Sequence, residues 1–473
     1  MSPPPATSAP TVVWFRRDLR TADNEALARA AADGPVVCVW VRDPALLARR
    51  HHAAPPRLAF LRDGLTALDD ELRDAGSRLV VRGGDPAEVL AEVCRETGSR
   101  RVVHAREVSL WGVSRDERVA ARLAADGVGV EVTSSGLMVE PEDLPGSSGA
   151  GYRVFTPFWK QWSQHEPPSH APAPGRLDGP ALDGDDPSGL WPGDSPLPAG
   201  PAAARAALVT FVRDGHADRY GTARNRADDD GTSRLSAYLR LGMCTSAQVG
   251  RALGLPGALS RGRAAYWRQV CWREFFHHLM ARHPGVAREA LRPELRGVRW
   301  ADDPDGWDAW VEGRTGYPLV DAGMRQLAAT GWMHNRARMV AASFLVKDLH
   351  IDWRRGETHF MRTLVDGCPA NNNGGWQWVA GTGADAAPYF RVLNPTLQGE
   401  KVDPRGDYVR RWVPELAGVA AKRIHAPWTM NTGEQEAAGC VIGRDYPAPI
   451  VDHALARRAA LDLYGDAKDL ASR

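Results

Sequence analysis

Hydrophobic residues follow two rhythms along this chain. In the first third they come as short, nearly continuous runs rich in valine: Thr11–Phe15, Val36–Val41, Arg78–Arg82, Arg101–His104 and Val128–Thr133. Runs of this length predict strands buried on both faces. Between the second and third runs, Leu58, Leu61, Leu65, Leu68 and Leu72 recur at steps of three and four, the spacing of one apolar helix face. Glu88–Glu96 and Ser114–Ala125 predict further helices. Strands alternating with helices predict a doubly wound, parallel, five-stranded sheet. Such sheets bind ligands at the carboxyl ends of their strands, and the loop Gly83-Gly84-Asp85-Pro86 lies at one of those ends.

The rhythm breaks near Ser134. Ten prolines fall between His165 and Pro201, which predicts a long and partly extended connection. One island in it, Tyr152-Arg153-Val154-Phe155-Thr156-Pro157-Phe158-Trp159-Lys160, is too aromatic for free linker and is expected to pack on a domain. Beyond Pro201 the strand signals fade. Ala202–Arg213, Ala264–Ala281, Tyr317–Thr330, Met333–Leu349 and Glu357–Leu364 read as helices. The expected plan is α/β plus all-α: a disordered tail over residues 1–10, an α/β domain over 11–134, a linker over 135–201 and a helical domain over 202–473.

Composition narrows the classes. A length of 473 residues exceeds one ordinary core, and a 25% charged content suits a soluble globular protein. The net charge is only +1, so any nucleic-acid surface must be a local patch. Six cysteines without a CxxC pair read as reduced thiols, neither disulfides nor zinc ligands. No apolar run is long enough to span a membrane, and the proline-rich start lacks a signal-peptide core. The expectation is a cytoplasmic, metal-free monomer. Seventeen tryptophans against ten phenylalanines and nine tyrosines change the picture. They fit either a Trp-rich helical core or indoles used as stacking surfaces and redox relays.

Four stretches carry candidate chemistry. Thr232-Ser233-Arg234-Leu235-Ser236 precedes a helix-like run and reads either as a cap or as a phosphate cradle. Trp272-Arg273-Glu274-Phe275-Phe276-His277-His278 puts aromatics beside Arg, as a planar or phosphorylated ligand requires and as a core helix also allows. Between Gly331 and Thr363 six Lys/Arg face three Asp/Glu, a local basic patch or a solvated helix face. Asp366–Trp378 holds three Asn and then Gly-Gly, which predicts a polar turn and no regular helix. Its two indoles, Trp376 and Trp378, flank Gln377, so that one points inward while the other faces a cavity.

Taken together these motifs resemble the DNA photolyase and cryptochrome family. The resemblance runs from Trp14-Phe15-Arg16-Arg17-Asp18-Leu19-Arg20 to Tyr446-Pro447-Ala448-Pro449-Ile450-Val451, and Gly331–Trp353 and Asn372–Trp378 look most like its class I cyclobutane-dimer (CPD) branch. It implies FAD held in the helical domain and light-driven repair of pyrimidine dimers in damaged DNA, by electron transfer from excited reduced FAD to a flipped-out dimer. By this resemblance Tyr220, Thr232, Ser233, Leu235, Ser236 and Arg273 hold the phosphates and ribose, with Arg234 beside them. Arg338 and Asp366 match an ion pair against the flavin ring, Asn372 faces its N5, and Gln269, Asn335 and Cys368 adjoin the same site. Gln269, Trp272, Asn335, Arg336, Met339 and Trp378 match the dimer pocket, and Arg224 and Arg391 match DNA-phosphate contacts. Trp376, Trp353 and Trp300 match a chain of indoles leading from the flavin to the surface.

The chain departs from the pattern at Gln269, where many CPD enzymes have Glu, at Cys368, where Asp is usual, and at Pro369 and Asn371. An antenna pigment is implied for the first domain. Arg106–Asp116 with Gly84-Asp85-Pro86 looks more like the deazaflavin branch than the methenyltetrahydrofolate branch. A six-four photoproduct photolyase would place two His where Asn335 and Met339 stand. A cryptochrome photoreceptor is the alternative from another class.

Overall fold

The computed structural model describes residues 9–49, 53–146, 149–384 and 391–472. The expected tail over residues 1–10 therefore lies, for residues 1–8, outside the described residues.

Five parallel strands form the first domain: β1 (Thr11–Phe15), β2 (Val36–Arg42), β3 (Leu79–Gly83), β4 (Arg101–Ala105) and β5 (Gly129–Thr133). Their order is β3-β2-β1-β4-β5, with Thr11 opposite Val36 on one side and Arg101 on the other. Helices lie against the sheet: α1 (Glu25–Asp33), α2 (Pro55–Asp74), α3 (Pro86–Thr97) and α4 (Leu110–Ala125), and β1 and β2 are buried along nearly their whole length. The expectation of burial on both faces fails for β5, an edge strand whose Val132 is exposed. The strand order reverses beside β1, so the crevice of this sheet opens between the ends of β1 and β4. Arg16 and Arg17 follow β1 there, and Arg106 and Glu107 follow β4. The loop at Gly84 does something else: Asp85 caps α3 by accepting from the Ala87 amide at 2.8 Å.

One further expectation for this domain is corrected in detail. The buried stripe of α2 is Phe60, Gly64, Leu65, Leu68 and Leu72, with Leu58 and Leu61 only half-buried on its flank. Arg57, at the same end of α2, is buried as well. Its guanidinium leaves the first domain and donates to the carbonyls of Met361 (2.7 Å) and Leu364 (3.0 Å).

The proline-rich connection is strapped down at several points. Val36 donates to Asp178 at 2.7 Å, Leu177 donates to Ala75 at 2.7 Å, and Asp185 bridges Val81 antiparallel, which covers the β3 edge. The aromatic island folds as α5 (Phe155–Trp162) and buries Phe155, Phe158 and Trp162. The Trp162 indole donates to buried Glu274 at 2.7 Å, and Glu274 also accepts from the Met138 amide at 2.9 Å.

The helical domain contains α6 (His216–Ala223), α7 (Ser236–Leu241), α8 (Arg261–Arg282), α9 (Asn335–Lys347), α10 (Trp353–Thr363) and α11 (Pro369–Ala380), among other helices. One apolar core runs from Val13 and Phe15 of the sheet through Phe60 and Phe158 to Phe275 of α8. A second surrounds Trp310, Phe344, Trp353 and Trp376. A core that crosses the domain boundary makes the two domains one packed body, not beads on a linker.

The expected polar turn over Asn371–Gly375 is wrong: these residues lie inside α11. Packing overrides their poor propensity. The Asn373 and Gln377 amides both donate to the Val286 carbonyl at 3.0 Å, which satisfies them inside the core. Gly374 lets Phe276 approach so closely that a Cβ would stand 2.2 Å from its ring.

Candidate active site

Four segments converge on a cavity of about 380 Å³ in the helical domain. Tyr220 and Thr232–Ser236 form one wall, and Gln269, Trp272, Arg273 and Phe276 of α8 the next. Asn335, Arg338 and Met339 of α9 face Asp366, Cys368, Asn372, Gly375 and Trp376 across it. Every residue expected to hold the cofactor lies on this wall. Of the expected dimer and DNA residues, Gln269, Trp272, Asn335 and Met339 line it, while Arg224, Arg336, Trp378 and Arg391 lie outside it. Of the indole chain only Trp376 reaches the cavity; Trp353 is buried in the same apolar core, and Trp300 is half-buried against Tyr464 at 6.0 Å.

Helix geometry places the wall residues. The long helix α8 begins at a Ser260 cap and presents Gln269, Trp272, Arg273 and Phe276 at steps of three and four. Trp272 is held flat by Phe155, with ring centroids 3.7 Å apart and planes within 5°. Phe155 comes from the aromatic island, so that segment backs the site. The predicted cap at Thr232–Ser236 does not form. Leu235 precedes α7 without a side-chain cap, Ser233 shares a 2.6 Å hydrogen bond with the Tyr266 hydroxyl, and Ser236 donates to Asp366 at 2.7 Å. Arg234 adopts a left-handed backbone (φ 52°) and lies 4.8 Å over the Trp332 ring.

Electrostatics follow from these contacts. Arg338 grips Asp366 through two bonds of 2.9 and 3.1 Å, a bidentate pair that fixes both groups. The Asn372 amide donates to the Glu357 carbonyl at 2.9 Å, which fixes its orientation and leaves its Oδ1 available as an acceptor. Burial pushes the Glu357 carboxyl up to about 7, against the Asn373 amide that favours its charged form. Burial outweighs all else at His334 too and lowers it to about 4.

The wall suits a large, flat ligand with anionic groups. Arg273 Nη1 and the Trp376 indole N–H are buried donors without a protein partner. A Cβ at Gly375 would meet nothing within 4 Å, so the wall there is open space. Aromatic faces, cationic Arg and unpaired donors together fit an FAD-sized group.

Reading the sequence alone missed several groups. Arg17, Glu107, Arg57, Arg240 and His277 gather behind Cys368, and no local motif signals an assembly drawn from five segments. Trp310 also escaped notice. It lies edge-on to Trp376 at 6.2 Å and next to Trp307 at 5.5 Å. The tryptophan count was its only signal.

Comparison with known proteins agrees with this geometry. The family model described as the FAD binding domain of DNA photolyase matches residues 266–466, and the DNA photolyase model matches residues 11–175. The chain is 40% identical to the deoxyribodipyrimidine photo-lyase of Halobacterium salinarum, over 96% of this chain and 98% of that protein. It resembles the crystal structure of a bacterial class III photolyase from Agrobacterium tumefaciens with a TM-score of 0.92 and 39% identity, over 99% of both chains. A Synechocystis cryptochrome superposes with a TM-score of 0.88 at 28% identity, over 97% of this chain and 99% of that one.

Proposed function

The chain belongs to the DNA photolyase family, and we propose that it is a deoxyribodipyrimidine photo-lyase, a FAD enzyme that splits cyclobutane pyrimidine dimers in DNA under blue light. The observation that carries this reading is a shared wall. Residues suited to a cofactor (Arg273, Asp366, Asn372) and residues suited to a flipped dimer (Gln269, Trp272, Asn335, Met339) line one cavity.

When bound, FAD supplies light-driven one-electron donation. The chain's residues do the rest. Arg338 and Asp366, locked to each other and to Ser236, present a fixed polar edge to the cofactor. Asn372, anchored on Glu357, offers an acceptor at a set position. Trp272, braced by Phe155, offers a face on which an extruded base stacks for about 1–3 kcal/mol. Gln269 and Asn335 carry amides that both donate and accept, which matches the carbonyl and N–H edge of a thymine pair. A dimer already disturbs stacking, so extruding it costs less than extruding a normal pair. Arg224, Arg336 and Arg391 lie outside the cavity, where a backbone phosphate would run. Trp376, which lines the cavity and shares an apolar core with buried Trp353, is the first indole of a relay toward the surface.

Asn335 and Met339 on the wall favour a cyclobutane substrate over a six-four photoproduct. For an antenna pigment of the deazaflavin kind we place the site at the crevice between β1 and β4. The cavity there is about 40 Å³, room for a water or two, and Arg16, Arg17 and Arg106 are among its lining residues.

The test is direct. The purified chain, loaded with reduced FAD and lit with blue light, restores thymine dimers in an oligonucleotide. Retained, reducible FAD without any repair would replace this reading with that of a photoreceptor.

A further inference from the structure

Cys368 stands apart from the other five cysteines. It is buried, yet it lines the cofactor cavity. Its sulfur lies 3.6 Å from Nε2 of His277, 3.4 Å from the Asn371 amide nitrogen and 4.0 Å from Arg17 Nη2. The proton inventory of this group follows from the partners. His277 Nδ1 lies 2.8 Å from the Arg273 carbonyl, which only accepts, so Nδ1 carries a hydrogen. Nε2 is then free to take the thiol proton. The Asn371 and Arg17 nitrogens are donors only, and both favour a thiolate over a thiol.

The surroundings point the same way. Four elements bring arginines to the sulfur, Arg17 after β1, Arg57 on α2, Arg240 on α7 and Arg273 on α8, and α8 also brings the His277 ring. Three carboxylates offset part of this charge: Glu107, which Arg17 engages at 3.0 Å, Asp366 beside Arg57, and Glu274 beside Arg273. Arg240 Nη1 and Arg273 Nη1 are buried without partners, so positive charge here is in surplus. Cys368 also occupies the N-cap of the twelve-residue helix α11, whose dipole favours a negative sulfur. Burial alone would raise this thiol, but the His277 and arginine charges outweigh it and hold it well below the usual range. The remaining cysteines run the opposite way: burial pushes Cys94 up to about 11 and Cys38 and Cys244 up to about 12.

We propose that Cys368 and His277 form a thiolate–imidazolium pair on the cavity wall, a modification site for small soft electrophiles that is shielded while the cofactor is seated. The ionisation rests on the side-chain cluster alone; the shielding rests on the placement of FAD in this cavity. With iodoacetamide as probe, the sulfur lone pair forms a C–S bond to the methylene carbon and the C–I bond breaks. Iodide leaves, and no electron or proton is supplied from outside.

The full-length chain is labelled at limiting iodoacetamide both as the FAD-loaded protein and after FAD is stripped. Re-addition of FAD shows that the stripped chain keeps its fold, and mass spectrometry reads each cysteine separately. In the stripped chain Cys368 labels at least tenfold faster than any other cysteine at pH 6.5, with a rate nearly flat from pH 6 to 8. His277→Asn shifts that profile upward by at least one pH unit, and bound FAD slows labelling at least tenfold. A rate that climbs tenfold per pH unit, or one no faster than at Cys94, overturns the ion pair. A flat profile with no protection by FAD leaves the ion pair standing and overturns the shielding.

Discussion

Two neighbouring glycines in α11 offer a sharp test of how the cavity is built. Gly374 faces the core, where a Cβ would stand 2.2 Å from Phe276 Cδ1 and 2.6 Å from Cε1. Gly375 faces the cavity, where a Cβ would meet nothing within 4 Å. Both have ordinary helical backbones, so alanine gains about 1 kcal/mol of helix propensity at either position. At Gly374 that gain is opposed by overpacking against a ring that itself lines the cavity, a penalty of about 1–3 kcal/mol. Gly374→Ala is therefore expected to lose up to about 2 kcal/mol of stability in the FAD-free chain. Gly375→Ala is expected to gain up to about 1 kcal/mol in the same measurement, because nothing opposes the propensity term. FAD affinity then separates the reasons. The new methyl of Gly375→Ala enters space the ligand needs, and its Kd for FAD rises roughly 5- to 30-fold, equivalent to about 1–2 kcal/mol. Denaturant midpoints of the FAD-free variants and flavin fluorescence titrations read both quantities. A Gly375→Ala chain that is destabilised without FAD, or that binds FAD as well as the parent, would refute the assignment of that face to the cofactor.

Further predictions rest on single contacts. Trp272→Ala removes the stacking face and should weaken binding of a dimer-containing oligonucleotide by about 1–3 kcal/mol while FAD stays bound; unchanged affinity in a gel-shift assay contradicts the role. Trp376→Phe should slow the photochemical bleaching of oxidised FAD and leave dimer affinity nearly intact; an unchanged bleaching rate in absorbance traces would contradict its place in the relay. Arg336→Ala and Arg391→Ala should each lower the slope of log K against log salt by about one and weaken damaged and undamaged DNA alike; a loss confined to damaged DNA would place that arginine in the dimer pocket instead. Glu357, with its carboxyl pushed up to about 7 by burial, is protonated in the folded chain and ionised in the unfolded chain between about pH 4.5 and 7. Stability therefore falls as pH rises through that window, by up to about 3 kcal/mol. Glu357→Gln should flatten this fall, and an unfolding series at pH 5 and 8 with equal differences in both proteins would disprove it.

The sequence disclosed more of the scaffold than of the site's wiring. Four strands were visible because their burial leaves short valine-rich runs, a signal that depends on few distant partners; β5, an edge strand with Val132 exposed, was visible through its valines and not through burial on both faces. The ends of α8 were legible to within three residues, since its aromatic and apolar positions persist for six turns. The error at Asn371–Gly375 has the opposite origin. Asn and Gly are poor helix formers in isolation, and nothing local shows that Val286 will accept two amides or that Phe276 will need the space above Gly374. The missed cap at Thr232–Ser236 is similar: the hydroxyls are taken by Tyr266 and Asp366, 33 and 130 residues away. Candidate site residues were legible through resemblance, as a set of positions. That Cys368 sits among cations from four other segments emerged only from the fold.

The two-domain plan has a physical reason within the site itself. Among the described residues, none of the α/β domain lines the large cavity, yet that domain sets the position of one wall. Arg57 donates to the carbonyls of Met361, Leu364 and Gly367, the end of α10 and the turn that leads to Cys368. Arg20 donates to Gly242 at 2.9 Å and Leu19 to Leu241 at 3.2 Å, which pins the far end of α7. Arg17 reaches both the Arg240 carbonyl and the Cys368 sulfur. Burying so many guanidinium groups is costly, and burial pulls Arg57 down to about 10 and Arg240 to about 9. Apolar packing would hold the domains together at less expense, but it would not fix the carbonyls and the sulfur of a turn that carries Asp366. The arginines are best understood as setting the geometry of that turn, so the first domain acts on the chemistry through the second.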